Sequence, residues 1–172
     1  MKKTMLIASS VMMMNLLMVS CNLDDGSSCP EALTGGLSDI ETEFVGTWVL
    51  TNMVSEEEVD LTDDDVENPS TEIFQQLPDC QKDVVYDFES DRKFTLEQEY
   101  NATDCQNKLT FDGTWKLTEG KLTFVSQCTS QTIDIVVNDD STMFTLEDTY
   151  FFNDVNGYVI STSVTLTYEK TL

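Results

Sequence analysis

The stretch LTFDGTWKLTEGKLTFVS, residues 109–126, decides the fold class. Apolar residues such as Leu109, Phe111 and Trp115 alternate with polar residues on both sides of Glu119-Gly120. Alternation with a period of two is typical of a strand with one buried face. A glycine beside a polar residue is typical of a tight turn. This stretch therefore predicts two antiparallel strands joined by a hairpin.

The same alternation recurs from Phe44 to Glu169 and predicts eight strands in all. Its inward positions are Phe44, Trp48, Leu50, Val84, Tyr86, Phe88, Phe94, Leu96, Leu109, Phe111, Trp115, Leu117, Leu122, Phe124, Ile133, Ile135, Val137, Phe144, Leu146, Tyr150, Ile160, Val164, Leu166 and Tyr168. Short breaks rich in turn-forming residues separate most strands, and Asn156-Gly157 is predicted to form a type I′ hairpin turn. Short connections make neighbouring strands antiparallel.

Closing such a sheet on itself removes its exposed edges. The predicted fold is therefore all-β, an eight-stranded antiparallel up-and-down barrel. The exception to the short connections is residues 55–79. A short helix is predicted there within residues 69–77, with Pro69 at its first position and Pro78 after its end.

Composition excludes several classes of protein. Lys+Arg number 9 and Asp+Glu 32, so the formal net charge is −23, and there is no histidine. So acidic a chain repels nucleic acid. Without histidine there is no Ser-His-Asp triad, Cys-His dyad or ordinary zinc site. We predict no catalytic residue, no metal ligand set and no cofactor.

The first twenty residues are predicted to be an export signal. Lys2 and Lys3 precede an apolar run that is too short and too often interrupted by polar residues to span a membrane. Met18-Val19-Ser20-Cys21 resembles the lipobox of bacterial lipoproteins. The resemblance implies a palmitate-type anchor on Cys21 that holds the mature chain at the cell outer membrane. The alternative is an ordinary signal peptide, with Cys21 as a fifth disulfide-type cysteine.

The predicted domains are a signal peptide over residues 1–20, a flexible acidic tether over 21–40 and a barrel over 41–172. The tether is rich in Gly, Ser and Asp, which is linker composition. Asp24 and Asp25 resemble the acidic export signal of surface lipoproteins in Bacteroidetes-type bacteria. Cell-surface display and the periplasmic face both stay open.

Two Gly-Thr-Trp motifs make a family resemblance specific. Gly46-Thr47-Trp48 opens the first strand, as Gly-x-Trp does in lipocalins, and Gly113-Thr114-Trp115 repeats it. Together with Cys80, Cys105 and the closing strand through Tyr168, the chain resembles the lipocalin-like domain of small bacterial outer-membrane lipoproteins. One departure is that the last strand has no arginine to stack on Trp48, only Lys170 near its end.

Four cysteines remain for disulfides in an exported chain, with three possible pairings. The hairpin around residues 90–92 brings the chain near Cys80 close to the chain near Cys105, so this pairing is preferred. Cys29 and Cys128 then form the second disulfide.

Acidic side chains offer only weak site candidates. Eight carboxylates lie within residues 56–67, but they lack the spacing of an EF-hand, and such runs are usually solvated. Calcium binding there stays open. Among the acids, Asp148 alone has the inward parity, and it lies near a strand end.

The inward residues are the better candidates for a ligand site, because an eight-stranded barrel is either filled or holds one small ligand. The candidate lining residues are Trp48, Phe94, Leu96, Trp115, Phe124, Ile135, Phe144 and Leu166. We expect a largely filled barrel with a small apolar pocket at one mouth.

The sequence thus predicts a monomeric, non-enzymatic, lipid-anchored protein that binds a small apolar ligand or an envelope protein partner. The alternative is an accessory lipoprotein with a filled barrel and no small-molecule ligand. A third hypothesis, an enzyme, would require a cleft with a carboxylate of strongly perturbed pKa.

Overall fold

The computed structural model describes residues 28–171, so the predicted signal peptide and Cys21 lie outside the described residues. The elements are α1 (Asp39–Phe44), β1 (Gly46–Val59), β2 (Ser70–Glu72), α2 (Ile73–Gln76), α3 (Asp79–Lys82), β3 (Val84–Phe88), β4 (Lys93–Gln98), β5 (Leu109–Thr118), β6 (Lys121–Ser126), β7 (Thr129–Val137), β8 (Met143–Asn153) and β9 (Val159–Lys170). None of the described helices has the length and apolar character needed to cross a membrane.

The strands form one antiparallel meander that closes on itself. The order is β2-β1-β3-β4-β5-β6-β7-β8-β9, and β1 also pairs with β9 from Trp48↔Lys170 to Ser55↔Val164. Apart from β2, which pairs only with β1, the strands make a closed barrel of eight. The predicted fold class is confirmed.

One end of the barrel is closed by packed aromatic rings. Trp48, Trp115 and Phe144 have no exposed surface, and Phe44 and Phe88 are 1% exposed. Phe44 stacks on Trp48 with 4.7 Å between ring centroids, and Phe88 meets the edge of Trp115 at 5.1 Å. Such ring pairs contribute about 0.5–1.5 kcal/mol each beyond the area that they bury. We call this the closed end.

Phe44 reaches this cluster from a helix, which corrects its predicted place in the first strand. The helix α1 begins after Ser38, whose hydroxyl accepts from the Glu41 backbone N–H while the Glu41 carboxylate accepts from the Ser38 N–H. This reciprocal pair satisfies two free N–H groups of the first turn. The indole N–H of Trp48 donates to the Phe44 carbonyl at 2.9 Å and fixes the last turn over the barrel.

The helix predicted within residues 69–77 begins later than expected. Ser70–Glu72 is strand β2, and the helical turn α2 begins at Ile73, so Pro69 is not its first residue. Residues 70–72 form a strand because the C-terminal half of β1 extends beyond its pairing with β3 and would otherwise have an unpaired edge. β2 pairs with that edge at Val54↔Glu72 and Val59↔Ser70.

The predicted type I′ turn at Asn156-Gly157 was wrong. Gly157 has φ +84°, but Asn156 does not have a positive φ, and a type I′ turn requires it at both central residues. Asp154 organises a longer loop instead, because its carboxylate accepts from the N–H groups of Asn156 and Tyr158. Left-handed pairs do occur at Glu119-Gly120 and at Gln127-Cys128, which join strands in two-residue turns.

The glycine of the second Gly-Thr-Trp motif is required for steric reasons. A Cβ atom at Gly113 would lie 2.3 Å from the Val125 carbonyl oxygen and 2.9 Å from Cε1 of Phe94. Only glycine allows this close approach of neighbouring strands. At the first motif, Gly46 has φ +139°, and Lys170 places its Nζ 5.5 Å from the ring centroid of Trp48. Lys170 thus covers Trp48, where the lipocalin resemblance implies an arginine.

Part of the predicted tether is attached to the barrel. Cys29 is bonded to Cys128, and the Leu33 N–H donates to the Thr114 hydroxyl at 2.8 Å. Further along, Arg92 donates to the carbonyl oxygens of Gly35 and Gly36. The segment from Cys29 to Ser38 therefore runs along the outside of the barrel to α1 and belongs to the domain.

Arg92 and Glu41 form a buried ion pair at the closed end. Glu41 is 2% exposed and Arg92 is 4% exposed, and Nη1 lies 2.7 Å from Oε1. Glu41 also accepts from the Leu117 N–H. Burial raises the pKa of Glu41, but hydrogen bonds from Arg92, Ser38 and Leu117 outweigh it and lower the pKa to about 2.

This lowered pKa predicts acid sensitivity. The pKa of Glu41 falls from 4.5 to about 2 on folding, so its contribution is complete above pH 4.5 and is lost as the pH falls through about 2. The contribution is roughly 3 kcal/mol. Urea unfolding between pH 7 and pH 2 measures it, with Glu41→Gln as the control that lacks the carboxyl group. Equal pH slopes for the two proteins would contradict the assignment.

Candidate functional site

The end of the barrel opposite α1 is open. It carries the connections 60–83, 99–108, 127–128 and 154–158. Most inward-facing apolar side chains that pack against the core yet stay partly exposed lie away from the closed end, where Val137 is an exception beside the buried rings. They are Val84, Tyr86, Leu96, Ile133, Leu146, Tyr150, Phe152 and Ile160. Inward parity combined with partial exposure indicates that the barrel interior, which we call the lumen, is less tightly filled here than at the closed end.

The eight predicted lining residues divide between these two regions. Trp48, Trp115 and Phe144 are fully buried in the aromatic cluster. Four more are buried core residues: Phe94, Phe124, Ile135 and Leu166. Leu96 alone among the eight is only partly buried, and it pairs across the strands with Tyr86 and Phe111. Most of the predicted lining residues therefore have a structural role in the packed core, and Leu96 borders the lumen.

Tyr86 and Tyr150 are partly buried tyrosines of this apolar lumen, whereas Tyr168 is buried and stacks on Phe144 with 4.8 Å between ring centroids. Tyr86 packs edge-on against Tyr168 with 5.4 Å between ring centroids, and Tyr150 stacks on Phe152 at 5.8 Å. Every side-chain polar atom among the described buried and half-buried residues that has no accessible surface has a hydrogen-bond partner, so each of these hydroxyls has either a partner or some accessible surface. The hydroxyls of Tyr86 and Tyr150 are polar groups on the inward face of the barrel, where a small-molecule site needs a few of them.

Burial raises the pKa values of all three tyrosines. Burial raises the pKa of Tyr86 to about 12. Burial also raises the pKa of Tyr150, with a further contribution from the carboxylate of Asp148. The pKa of Tyr168 is raised by burial and by the nearby Tyr86 and Tyr150. All three side chains stay neutral at ordinary pH and act as hydrogen-bond donors or acceptors, not as charged bases.

Both disulfides reinforce the open end. Cys80–Cys105 joins the connection before β3 to the loop after β4, and Cys29–Cys128 holds the N-terminal segment to the turn between β6 and β7. These are the preferred pairings from the sequence. Asp83 also joins these segments, because its carboxylate accepts hydrogen bonds from Ala102 and Asn101 in the loop after β4. Burial raises the pKa of Asp83, but these hydrogen bonds outweigh the effect of burial and lower the pKa.

The acidic run in residues 56–67 folds into a loop with its own hydrogen bonds. The carboxylate of Asp60 accepts from the Thr62 N–H, the Thr62 hydroxyl and the Asn68 N–H. Asp148 is exposed, and its carboxylate accepts from the Thr149 N–H. Among residues 28–171 the one grouping of metal-binding types is Cys80, Glu99 and Cys105. Since the two sulfur atoms are bonded to each other, this group is a disulfide beside an acid.

Two clefts lie on the outer surface of the barrel. One, of about 770 Å³, lies between the α2–α3 segment and the outer faces of β1 and β9, with Glu72, Lys82 and Glu169 in its lining. The other, of about 550 Å³, lies at the closed end beside Asp140 and Lys170. None of their lining residues is buried. The lumen, with its partly buried apolar wall, is the stronger candidate site.

A closed meander of eight antiparallel strands with one closed end and one open end defines a lipocalin-like barrel. The chain belongs to the family described as "Domain of unknown function (DUF5004)", whose model matches residues 22–171. No curated protein matches the sequence. Among solved structures, it is similar to insecticyanin from the tobacco hornworm Manduca sexta, at 11% identity and a TM-score of 0.41. That likeness covers 84% of this chain and 69% of the other.

Proposed function

We propose that this protein is a lipid-anchored, non-enzymatic binding protein of the cell outer membrane that takes a small apolar ligand into the open end of its barrel. The observation that carries the proposal is the lumen wall, where inward-facing apolar residues are only partly buried. Apolar surface exposed to water is unfavourable, so a ligand that covers it gains the corresponding free energy.

The tyrosine hydroxyls refine the chemistry of the ligand. An apolar wall with a few polar groups is typical of small-molecule sites. Tyr86 and Tyr150 are partly buried on the inward face, and burial keeps their hydroxyls neutral. A ligand with an apolar body and one polar group, such as a fatty acid or a related lipid, would satisfy both parts of the lumen.

The aromatic cluster favours the second candidate function. Large rings fill the closed half of the barrel, which leaves space for a ligand only toward the open end. If that space admits no ligand, the protein is an accessory lipoprotein that acts through contacts with envelope proteins. In either case we propose anchoring through Cys21, and cell-surface display and the periplasmic face are equally compatible with it.

The two functions are separated by a change in the lumen wall. Leu96→Trp adds bulk inside the lumen, and we expect the affinity for a dansyl-labelled fatty acid to fall roughly tenfold, or about 1.4 kcal/mol, because the indole occupies space that the ligand would fill. Thr95→Trp is the matched control, since Thr95 pairs with Asp87 and Asp112 on the opposite face of the same strand.

Fluorescence titration of the two variants and the unaltered chain measures the affinities, and circular dichroism checks that each variant is folded. Equal binding by both variants would contradict a site in the lumen. Absence of binding by the unaltered chain, across fatty acids and lysophospholipids, would support the accessory role.

A further inference from the structure

The open end of the barrel carries most of the large apolar side chains that the structure leaves exposed. Among residues 28–171 there are nine such side chains, and seven lie at or near this end: Val66, Tyr100, Leu109, Phe151, Val155, Tyr158 and Val159. We propose that this end docks on a bilayer of zwitterionic phospholipid, with the β8–β9 hairpin tip at the lipid interface. The inference rests on the proposed lipid anchor at Cys21.

The hairpin tip has the composition of an interfacial contact. Tyr158 is 69% exposed, Val159 66%, Phe151 59% and Val155 41%. Asn153 pairs with Val159 and Phe151 with Ser161, so Phe151 and Val159 are diagonal neighbours on the outer face. Apolar and tyrosine side chains together are typical of the boundary between headgroups and acyl chains. Contact with lipid would remove this apolar surface from water.

The anchoring chain leads to the same end. Cys128 lies in the two-residue turn between β6 and β7, so its bond to Cys29 holds the N-terminal segment at the open end. Cys21 precedes Cys29 by 8 positions in the sequence. A relaxed linker of that length spans about 16 Å. The ten residues of β5, tilted as in a barrel, rise about 25 Å. The short linker therefore favours the open end, not the closed end, next to the membrane.

Charge selects the kind of lipid surface. The exposed acids of the loop after β1, including Asp63, Asp64, Asp65 and Glu67, lie at the same end as the hairpin tip, and the Val155 N–H donates to the Asp60 carbonyl oxygen. Negative charge near the contact is repelled by anionic lipids. We therefore assign a net-neutral bilayer. In this orientation the lumen opens toward the lipid, and an apolar ligand passes between bilayer and barrel without crossing water.

Quenching of tryptophan fluorescence by brominated acyl chains tests the orientation. The full chain is purified with its anchor and reconstituted in phosphatidylcholine vesicles that contain brominated lipid. We expect Tyr158→Trp to lose fluorescence. Val136→Trp is the matched control, because Val136 is 71% exposed but lies near the closed-end terminus of β7, and it should keep its fluorescence. Trp48 and Trp115 are buried in both variants, and the unaltered chain gives their background.

Equal loss in the two variants, or greater loss for Val136→Trp, would overturn the docking. Replacing part of the phosphatidylcholine with phosphatidylglycerol should reduce the loss for Tyr158→Trp, and an unchanged loss would overturn the choice of lipid. Mass spectrometry of the Cys21 peptide shows whether a negative result comes from a missing lipid anchor or from a failure of the docking itself. An unacylated Cys21 would overturn both the anchor and the docking. With Cys21 acylated, equal loss in the two variants removes the docking alone, while fatty-acid binding is measured independently in the Leu96→Trp titration.

Discussion

Replacing both Cys29 and Cys128 with alanine should lower the free energy of unfolding by about 4–5 kcal/mol. The two cysteines are 99 residues apart, so the disulfide closes a loop that includes most of the described chain. In the chain-entropy account, the bond stabilises the protein by restricting the unfolded state, and longer loops give the larger effect. Urea unfolding of the mature chain under non-reducing conditions measures the change.

The second disulfide provides the matched control. Cys80 and Cys105 are 25 residues apart, so the corresponding double alanine variant should lose about 3–4 kcal/mol. Both disulfides lie at the open end, which keeps the location comparable. If removing the Cys29–Cys128 bond lowers the free energy of unfolding less than removing Cys80–Cys105, then loop length does not determine how much each disulfide stabilises the protein.

Replacing Arg92 with methionine should cost about 3–5 kcal/mol of stability at pH 7, because it leaves the Glu41 carboxylate buried without a counter-ion. The guanidinium also donates to the carbonyl oxygens of Gly35, Gly36 and Trp115, which would lose their donor. Thermal and urea unfolding measure the loss. We also expect α1 to loosen, since Glu41 is its third residue.

Two further variants identify the cause of this loss. Lys121→Met removes an exposed ion pair, with Nζ 2.6 Å from the Asp134 carboxylate, and should cost less than about 1 kcal/mol. The double variant Glu41→Leu with Arg92→Met should cost less than the sum of the single changes, because no unpaired charge stays buried. A loss for Arg92→Met no larger than that for Lys121→Met would contradict the role of the buried pair.

The strands were predictable because their signal is local. Alternation at Leu109–Thr118 reports the buried face of a strand whatever it packs against, and Glu119-Gly120 supplies the turn. The capping box of α1 was also present in the sequence, as Ser38 followed three residues later by Glu41, and it could have identified this helix. Its short length and the alternation after Phe44 concealed it.

The polar contacts at the closed end could not be predicted in the same way. Arg92 occurs in a turn with Ser90 and Asp91, where a charged residue is ordinarily exposed. Its partner Glu41 is 51 residues away, and nothing near either residue indicates the pair. The position of Lys170 over Trp48 depends likewise on the pairing of the first and last barrel strands.

The sequence by itself determined a closed antiparallel barrel, because strand alternation and short turns are properties of neighbouring residues. Only the tertiary structure decided which end of that barrel is open. The segment 38–44, Arg92 and the rings around Trp48 come from distant parts of the chain and fill one end together. At the other end Leu96, Tyr86 and Tyr150 stay only partly buried. Packing between residues far apart in sequence has no periodic signal, so it becomes visible only once the chain is folded.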